Sequence, residues 1–205
     1  LKSSSFSNFI ILKDKFSFIS SKISYNELKF IIKTFCIIKI SIPMIIHVQN
    51  KNTLIIDDFK LKCCIGKNGI NLNKKEGDYS TPKGTFNLKK LYFREERVGN
   101  PKCKINKKAI KKGMAWCDDP SHKNYNQEIK ICDNRFKENL YRKDNKYDYV
   151  ISISHNEKKI PNNGSAVFIH LTNNYKPTAG CIALQKKDFE ILLRLIDKKT
   201  KIKIG

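Results

Sequence analysis

Short runs of alternating apolar and polar residues recur from residue 45 to the end of the chain, and they predict strands rather than helices. The first two runs, 45–48 and 53–56, flank a polar turn. The run 165–171 is apolar on both faces, which predicts a strand buried on both sides. The same pattern predicts further strands at 60–66, 85–93, 147–154 and 200–204.

One segment near the end follows a helical period instead. Its apolar residues are spaced i, i+3, i+4, i+7, and they are Phe189, Leu192, Leu193 and Ile196. We therefore expect a C-terminal helix near 186–197. Residues 94–145 are polar and weakly patterned, and we expect long loops with short helices there. The whole pattern predicts a mainly β fold, with a single domain at 44–205 and one or two helices.

Residues 1–43 differ from the rest of the chain. They are rich in Lys, Ile, Phe and Ser, and they contain neither Gly nor Arg. Lys interrupts the apolar runs too often for a membrane span, and no small-residue cleavage site marks a secretory signal. We interpret residues 1–43 as an N-terminal extension, either upstream of a true start at Met44 or disordered.

The charge balance is strongly basic. The chain of 205 residues carries 41 Lys and Arg against 19 Asp and Glu, a formal net charge of +22. Such a field attracts polyanions, whether nucleic acid, acidic lipid or an anionic cell-wall polymer. Lys, Ile, Asn and Phe also share A/T-rich codons, so genome composition is an alternative source of the charge. No basic-aromatic motif of a nucleic-acid-binding fold is present, and no nucleic-acid partner is expected.

The chain contains seven cysteines, but their spacing does not indicate a disulfide framework or a metal site. There is no C-x-x-C pair, and paired Cys/His spacing for zinc is absent. The adjacent Cys63 and Cys64 are poorly placed to bridge each other. Six cysteines are predicted to be small, buried apolar residues: Cys36, Cys63, Cys64, Cys103, Cys117 and Cys132.

The seventh, Cys181, has the surroundings of a nucleophile. His170 ends the predicted buried strand, and a polar loop leads from it to Cys181. A thiol is mostly protonated at neutral pH, so a nucleophilic cysteine needs a neighbouring imidazole to take its proton. Gly180 allows close approach of the backbone to a substrate. Backbone N–H groups around Gly180 and Cys181 are candidate donors to an oxyanion.

Three segments, in order, strengthen this hypothesis. Residues 76–86 contain Thr-Pro-Lys-Gly-Thr-Phe, and residues 116–126 contain Trp-Cys-Asp-Asp-Pro followed by Tyr-Asn. Residues 168–184 contain Phe-Ile-His and then Pro-Thr-Ala-Gly-Cys-Ile-Ala-Leu. Over residues 44–196 the chain resembles the L,D-transpeptidase (YkuD-type) catalytic domain family.

The resemblance implies a β-sandwich or barrel that acts on peptidoglycan stem peptides through a thioester on Cys181. Attack by an amine on the thioester gives an L,D cross-link, whereas attack by water makes the enzyme an L,D-carboxypeptidase. A catalytically inactive, basic polyanion-binding module is the alternative from another class. The substrate implies a periplasmic or cell-wall location, although no clear signal peptide is visible and a cytoplasmic location stays open. The sequence does not indicate an oligomeric state.

The resemblance also assigns residues to the site, without a cofactor or metal. The catalytic candidates are Cys181, His170 and Gly180. The substrate-binding candidates are Thr178, Trp116, Asp118, Tyr125 and Asn126.

Two positions depart from the family pattern. Many members carry His directly before the Gly-Cys pair and Arg shortly after it, whereas this chain has Ala179 and Ala183. His170 is then the base candidate, and the partner of a substrate carboxylate is unassigned. One of the many lysines, or the stretch 94–97, is a candidate for that partner.

Overall fold

Side chains alternate between buried and exposed along several strands, as the apolar pattern predicted. Ile46 and Val48 of the first strand are buried, and so are Ile202 and Ile204 of the last strand. These two strands pair in parallel, with Ile46 opposite Ile202 and Val48 opposite Ile204. One face of the pair therefore lies in the core, because side-chain direction in a strand has a period of two.

The computed structural model describes residues 43–130 and 137–205. In those residues two helices are present, α1 (Glu95–Val98) and α2 (Lys186–Leu195). The strands are β1 (Ile45–Val48), β2 (Thr53–Ile56), β3 (Phe59–Cys64), β4 (Ile70–Asn71), β5 (Thr81–Pro82), β6 (Gly84–Phe93), β7 (Asn106–Ala109), β8 (Met114–Cys117), β9 (Glu128–Lys130), β10 (Lys137–Asn139), β11 (Tyr149–Ile153), β12 (Phe168–Leu171), β13 (Ile182–Leu184) and β14 (Lys201–Ile204).

Strands β3 and β6 each pair with strands on both sides of the main sheet, and this closes the sheet into a barrel. One side runs β3-β2-β1-β14-β6, and the other runs β3-β13-β12-β11-β6. Strand β3 pairs with β2 through its first part and with β13 through Cys63 and Cys64. Strand β6 likewise pairs with β14 and then with β11. The predicted mainly β sandwich or barrel is confirmed.

Helix α2 packs against the barrel through the apolar face that its spacing predicted. Phe189, Leu192 and Leu193 are buried in the helix, and Ile196 is buried directly after it. The Phe189 ring stacks on Tyr149 of β11, with ring centroids 5.4 Å apart. The helix ends at Leu195, close to the predicted 186–197.

The expectation of loops and short helices at 94–145 was wrong in part. Helix α1 lies there, but so do strands β7 to β10, and β8 pairs with both β9 and β10 in a three-stranded sheet. Strand β7 adds to β6 although none of its residues is buried. Backbone pairing forms these strands without an alternation of buried and exposed residues, so the apolar period does not indicate them.

Two other predictions are partly covered by the described residues. The predicted extension at 1–43 lies, apart from Pro43, outside them. Of the predicted buried cysteines, Cys63, Cys64 and Cys117 are buried and Cys103 is half-buried, whereas Cys36 and Cys132 lie outside the described residues. Within the described part of the chain, no helix is long and apolar enough to cross a membrane.

Candidate active site

The parallel pairing of β12 and β13 brings His170 and Cys181 to one face. Ile169 lies opposite Ile182 and His170 lies opposite Ala183, while Cys181 directly precedes β13. Because side chains alternate along a strand, His170 and Cys181 point to the same side. Both line a cleft of about 250 Å³.

The cleft collects residues from widely separated parts of the chain. Those that carry polar or ionisable side chains are Lys74, Glu76, Tyr79, Asp118, Glu138, Tyr147, Ser165, His170, Thr178 and Cys181. Gly77, Ala166, Val167, Ala179 and Gly180 complete the lining. Of the residues predicted for the site, Cys181, His170, Gly180, Thr178 and Asp118 line this cleft.

His170 is held as a neutral imidazole with one nitrogen available to accept a proton. Its Nδ1 lies 2.8 Å from the carbonyl oxygen of Leu171. A carbonyl only accepts hydrogen bonds, so Nδ1 carries the proton and Nε2 keeps its lone pair. Burial, with a contribution from the Lys146 and Arg142 cations, lowers the pKa of His170 to about 4. The ring is therefore in the protonation state that a general base requires.

Cys181 is protonated in the resting site. Its Sγ donates to the carbonyl oxygen of Ala166 at 3.2 Å and accepts from the Phe168 backbone N–H at 3.3 Å. Burial raises the pKa of this thiol to about 12. The thiol and the imidazole thus rest as a neutral pair, and proton transfer has to accompany attack on a substrate.

Two threonines fix Gly180 immediately before the thiol. Thr178 Oγ1 accepts the Gly180 N–H at 3.1 Å and donates to the Cys181 carbonyl oxygen at 2.6 Å. Thr81 Oγ1 donates to the Gly180 carbonyl oxygen at 2.8 Å and accepts the Gly66 N–H. The Gly180 N–H therefore already has an acceptor in Thr178, and its role as an oxyanion donor stays a prediction. The Thr-Pro segment also touches the Gly-Cys segment through Thr81.

One wall of the cleft is acidic. Glu76 accepts a hydrogen bond from the Tyr125 hydroxyl, and Glu138 pairs with Arg142 at 3.1 Å. Asp118 Oδ1 is buried and has no hydrogen-bond partner among the described residues. Burial, followed by the nearby Glu76 and Glu138 charges, raises the pKa of Asp118.

The other predicted substrate-binding residues lie behind the cleft rather than along it. Trp116 Nε1 donates to Asn126 Oδ1 at 2.9 Å, and the same oxygen accepts the Ala166 N–H at 3.2 Å. Since the Ala166 carbonyl holds the Cys181 thiol, this chain of contacts positions the thiol. Tyr125 is buried and reaches the cleft through its bond to Glu76.

The sequence prediction missed Lys74, Glu138 and Tyr147. Lys74 lies four residues before Asp78, next to the quoted Thr-Pro segment, but in a loop, where the helical i, i+4 spacing gives no signal. Glu138 comes from β10 in the weakly patterned region, which carries no such signal. Tyr147 packs edge-on against His170, with ring centroids 5.3 Å apart.

A family model described as the L,D-transpeptidase catalytic domain (YkuD) matches residues 38–204. Because that match covers most of the chain, the protein belongs to this family, as the resemblance predicted. No curated protein sequence matches the chain.

Solved structures with a similar fold come from several bacteria. The helical cell shape determining protein Pgp2 (K307A mutant) from Campylobacter jejuni is 17% identical, with a TM-score of 0.45 over 80% of this chain and 47% of that chain. Bd1075 from Bdellovibrio bacteriovorus is 13% identical, with a TM-score of 0.42 over 79% and 47%. An L,D-transpeptidase from Mycobacterium tuberculosis is 11% identical, with a TM-score of 0.39 over 79% and 57%. The chain thus spans about half the length of these proteins.

Proposed function

We propose that this protein is a cysteine acyltransferase that forms L,D cross-links between peptidoglycan stem peptides. The observation that carries the proposal is the shared face of β12 and β13. There a neutral His170, with Nε2 free to accept a proton, lies in the same cleft as the Cys181 thiol. Membership of the L,D-transpeptidase family supplies the substrate class.

In the proposed first half-reaction, Cys181 Sγ attacks the carbonyl carbon of the L-centre that precedes a terminal D-residue. His170 Nε2 takes the thiol proton as the S–C bond forms. The C–N bond of the tetrahedral intermediate then breaks, and the imidazolium protonates the departing amine. D-Alanine leaves and a thioester remains on Cys181.

In the second half-reaction, an amine of a neighbouring stem attacks the thioester and loses a proton to His170. The C–S bond breaks, the thiol is restored, and an amide cross-link is formed. If water attacks instead, the product is a trimmed stem and the activity is that of an L,D-carboxypeptidase. Both outcomes use the same cleft, and the proposed setting is the periplasm or cell wall, where the substrate lies.

The test is to incubate the purified protein with a tetrapeptide muropeptide and measure intact mass and released D-alanine. We expect an acyl adduct and D-alanine release for the wild type and neither for Cys181→Ala. Cross-linked dimers as products indicate the transpeptidase, whereas tripeptide stems indicate the carboxypeptidase. Salt-sensitive binding to polyanions without any adduct would favour the inactive basic module instead.

A further inference from the structure

A buried lysine lies in the cleft beside the proposed nucleophile. The Lys74 side chain is only 5% exposed, and it lines the cleft together with Gly180 and Cys181. Lysine is almost never buried to this extent unless it is paired, because taking an ammonium group out of water is costly. Its buried position therefore indicates that Lys74 is part of the site rather than an incidental surface charge.

Two glycines lie beside this side chain, and one of them provides space for it. A Cβ atom on Gly164 would come within 2.9 Å of Lys74 Cγ, too close to be accommodated without movement. A Cβ atom on Gly180 would lie 3.7 Å from Lys74 Nζ, so the ammonium group lies near the residue that directly precedes Cys181.

Asp78 holds the ammonium group in place. It forms an ion pair with Lys74 and accepts hydrogen bonds from the Lys75 N–H, the Ser80 N–H and the Ser80 hydroxyl at 2.9, 2.9 and 2.6 Å. Burial opposes ionisation of Asp78, but these donors together hold its pKa well below the usual range. A carboxylate fixed by four donors gives the lysine a defined position.

The ammonium group keeps one donor for a ligand. Of its three N–H groups, one is used by Asp78 and one by the Lys75 carbonyl oxygen at 2.8 Å. No third acceptor lies within hydrogen-bonding distance among the described residues. Two other cations lie near His170: Arg142, which is paired with Glu138 and Asp144, and Lys146, whose side chain is exposed.

We propose that Lys74 binds the terminal carboxylate of the donor peptide and so determines its specificity, an inference that rests on the proposed function. In such a peptide the terminal carboxylate is the anion nearest to the attacked carbonyl, only three bonds away. The cleft lining also holds the carboxyl groups of Glu76, Asp118 and Glu138, and among the described lining residues Lys74 supplies the ammonium group that attracts a carboxylate. Lys74 thereby supplies the cation that Ala183 does not.

The first experiment measures binding without chemistry. In a Cys181→Ala background, calorimetry compares a tetrapeptide donor that ends in a carboxylate with the same donor ending in a carboxamide. We expect the acid to bind about 10- to 100-fold more tightly, the range for one charge-assisted hydrogen bond. Adding Lys74→Met should abolish this preference. Adding Lys75→Met, which changes the adjacent exposed lysine, should keep it.

The comparison of acid with amide in the Cys181→Ala protein needs no lysine variant, so equal binding of the two donors would overturn the role of Lys74 even if Lys74→Met does not fold. So would a folded Lys74→Met protein that keeps the preference. If the acid is preferred but wild-type protein never forms an adduct, the proposed acyl transfer fails and the carboxylate site stands.

A second experiment separates recognition from activation of the thiol. Acylation rates of the otherwise wild-type enzyme are measured with both donors, with and without Lys74→Met. We expect the substitution to slow acylation by the acid about 10- to 100-fold and to leave acylation by the amide nearly unchanged. An equal loss with both donors would show that Lys74 acts on the Cys181 thiol rather than on the substrate carboxylate, and it would overturn the proposal.

Discussion

The barrel core and the cleft are built on the same two strands, yet their chemistry is opposite. Ile169 of β12 and Ile182 of β13 face the apolar core, where neither is exposed. His170 and Cys181, each next to one of these residues, face the cleft. The core is stabilised by burial alone, whereas each buried polar group of the cleft needs a specific partner. One alternating pattern of side chains thus places apolar residues in the core on one side and the candidate reactive groups in the cleft on the other.

The strongest test of the cleft side is to replace His170, its proposed general base. We expect His170→Gln to lower the acylation rate of Cys181 by about 10²- to 10⁴-fold, the usual contribution of a positioned general base. Intact-mass kinetics with a tetrapeptide donor measure this. His122→Gln, which alters an exposed histidine, is the control and should acylate at the wild-type rate. An unchanged rate in His170→Gln would remove His170 from the mechanism.

On the core side, the largest expected effect is on stability. Phe189→Ala removes a fully buried ring that stacks on Tyr149, and we expect a loss of about 3–5 kcal/mol in the free energy of unfolding. Urea denaturation measures it. Leu72→Ala serves as the control because Leu72 is 73% exposed, and its change should be within about 0.5 kcal/mol. Similar losses in both variants would contradict the packing described for α2.

His170 also links the cleft to the stability of the whole domain. Its pKa is lowered to about 4 in the folded protein from 6.5, so between these values the unfolded chain binds more protons. Stability is then highest above pH 6.5 and falls as the pH drops towards 4, by about 3 kcal/mol for this one group. Denaturation curves from pH 7 to 4 should show a weaker decline for His170→Gln. Parallel declines for the two proteins would contradict a neutral, buried His170.

The smallest effect is expected where the cleft is tied to the Thr-Pro segment. Thr81→Val keeps the shape of a fully buried residue but removes its bonds to the Gly66 N–H and the Gly180 carbonyl oxygen. We expect a loss of about 1–3 kcal/mol in unfolding free energy, because a buried N–H is left without a partner. Thr85→Val, on an exposed position of β6, should change stability by less than about 0.5 kcal/mol. Equal effects would show that the Thr81 contacts are not specific.

Much of the barrel was predictable because its signal is local. Alternation in β1 and β14 and the helical period of α2 follow directly from which side chains must avoid water. Strands β7 to β10 were not predictable in this way, since β7 buries none of its residues and β8 does not alternate, and these strands form by backbone pairing with nearby segments. The sequence carries no short-range record of such pairing.

For the site, the sequence by itself determined the family and the two candidate reactive residues, His170 and Cys181, because their motif is short and contiguous. Only the tertiary structure decided which groups surround them. It placed Trp116 behind the cleft instead of along it, and it brought Lys74 beside Gly180, more than 100 residues away in sequence. The physical reason is that Lys74 is held by local partners, Asp78 and the Lys75 carbonyl, whereas its approach to Gly180 depends on long-range packing that no local pattern specifies.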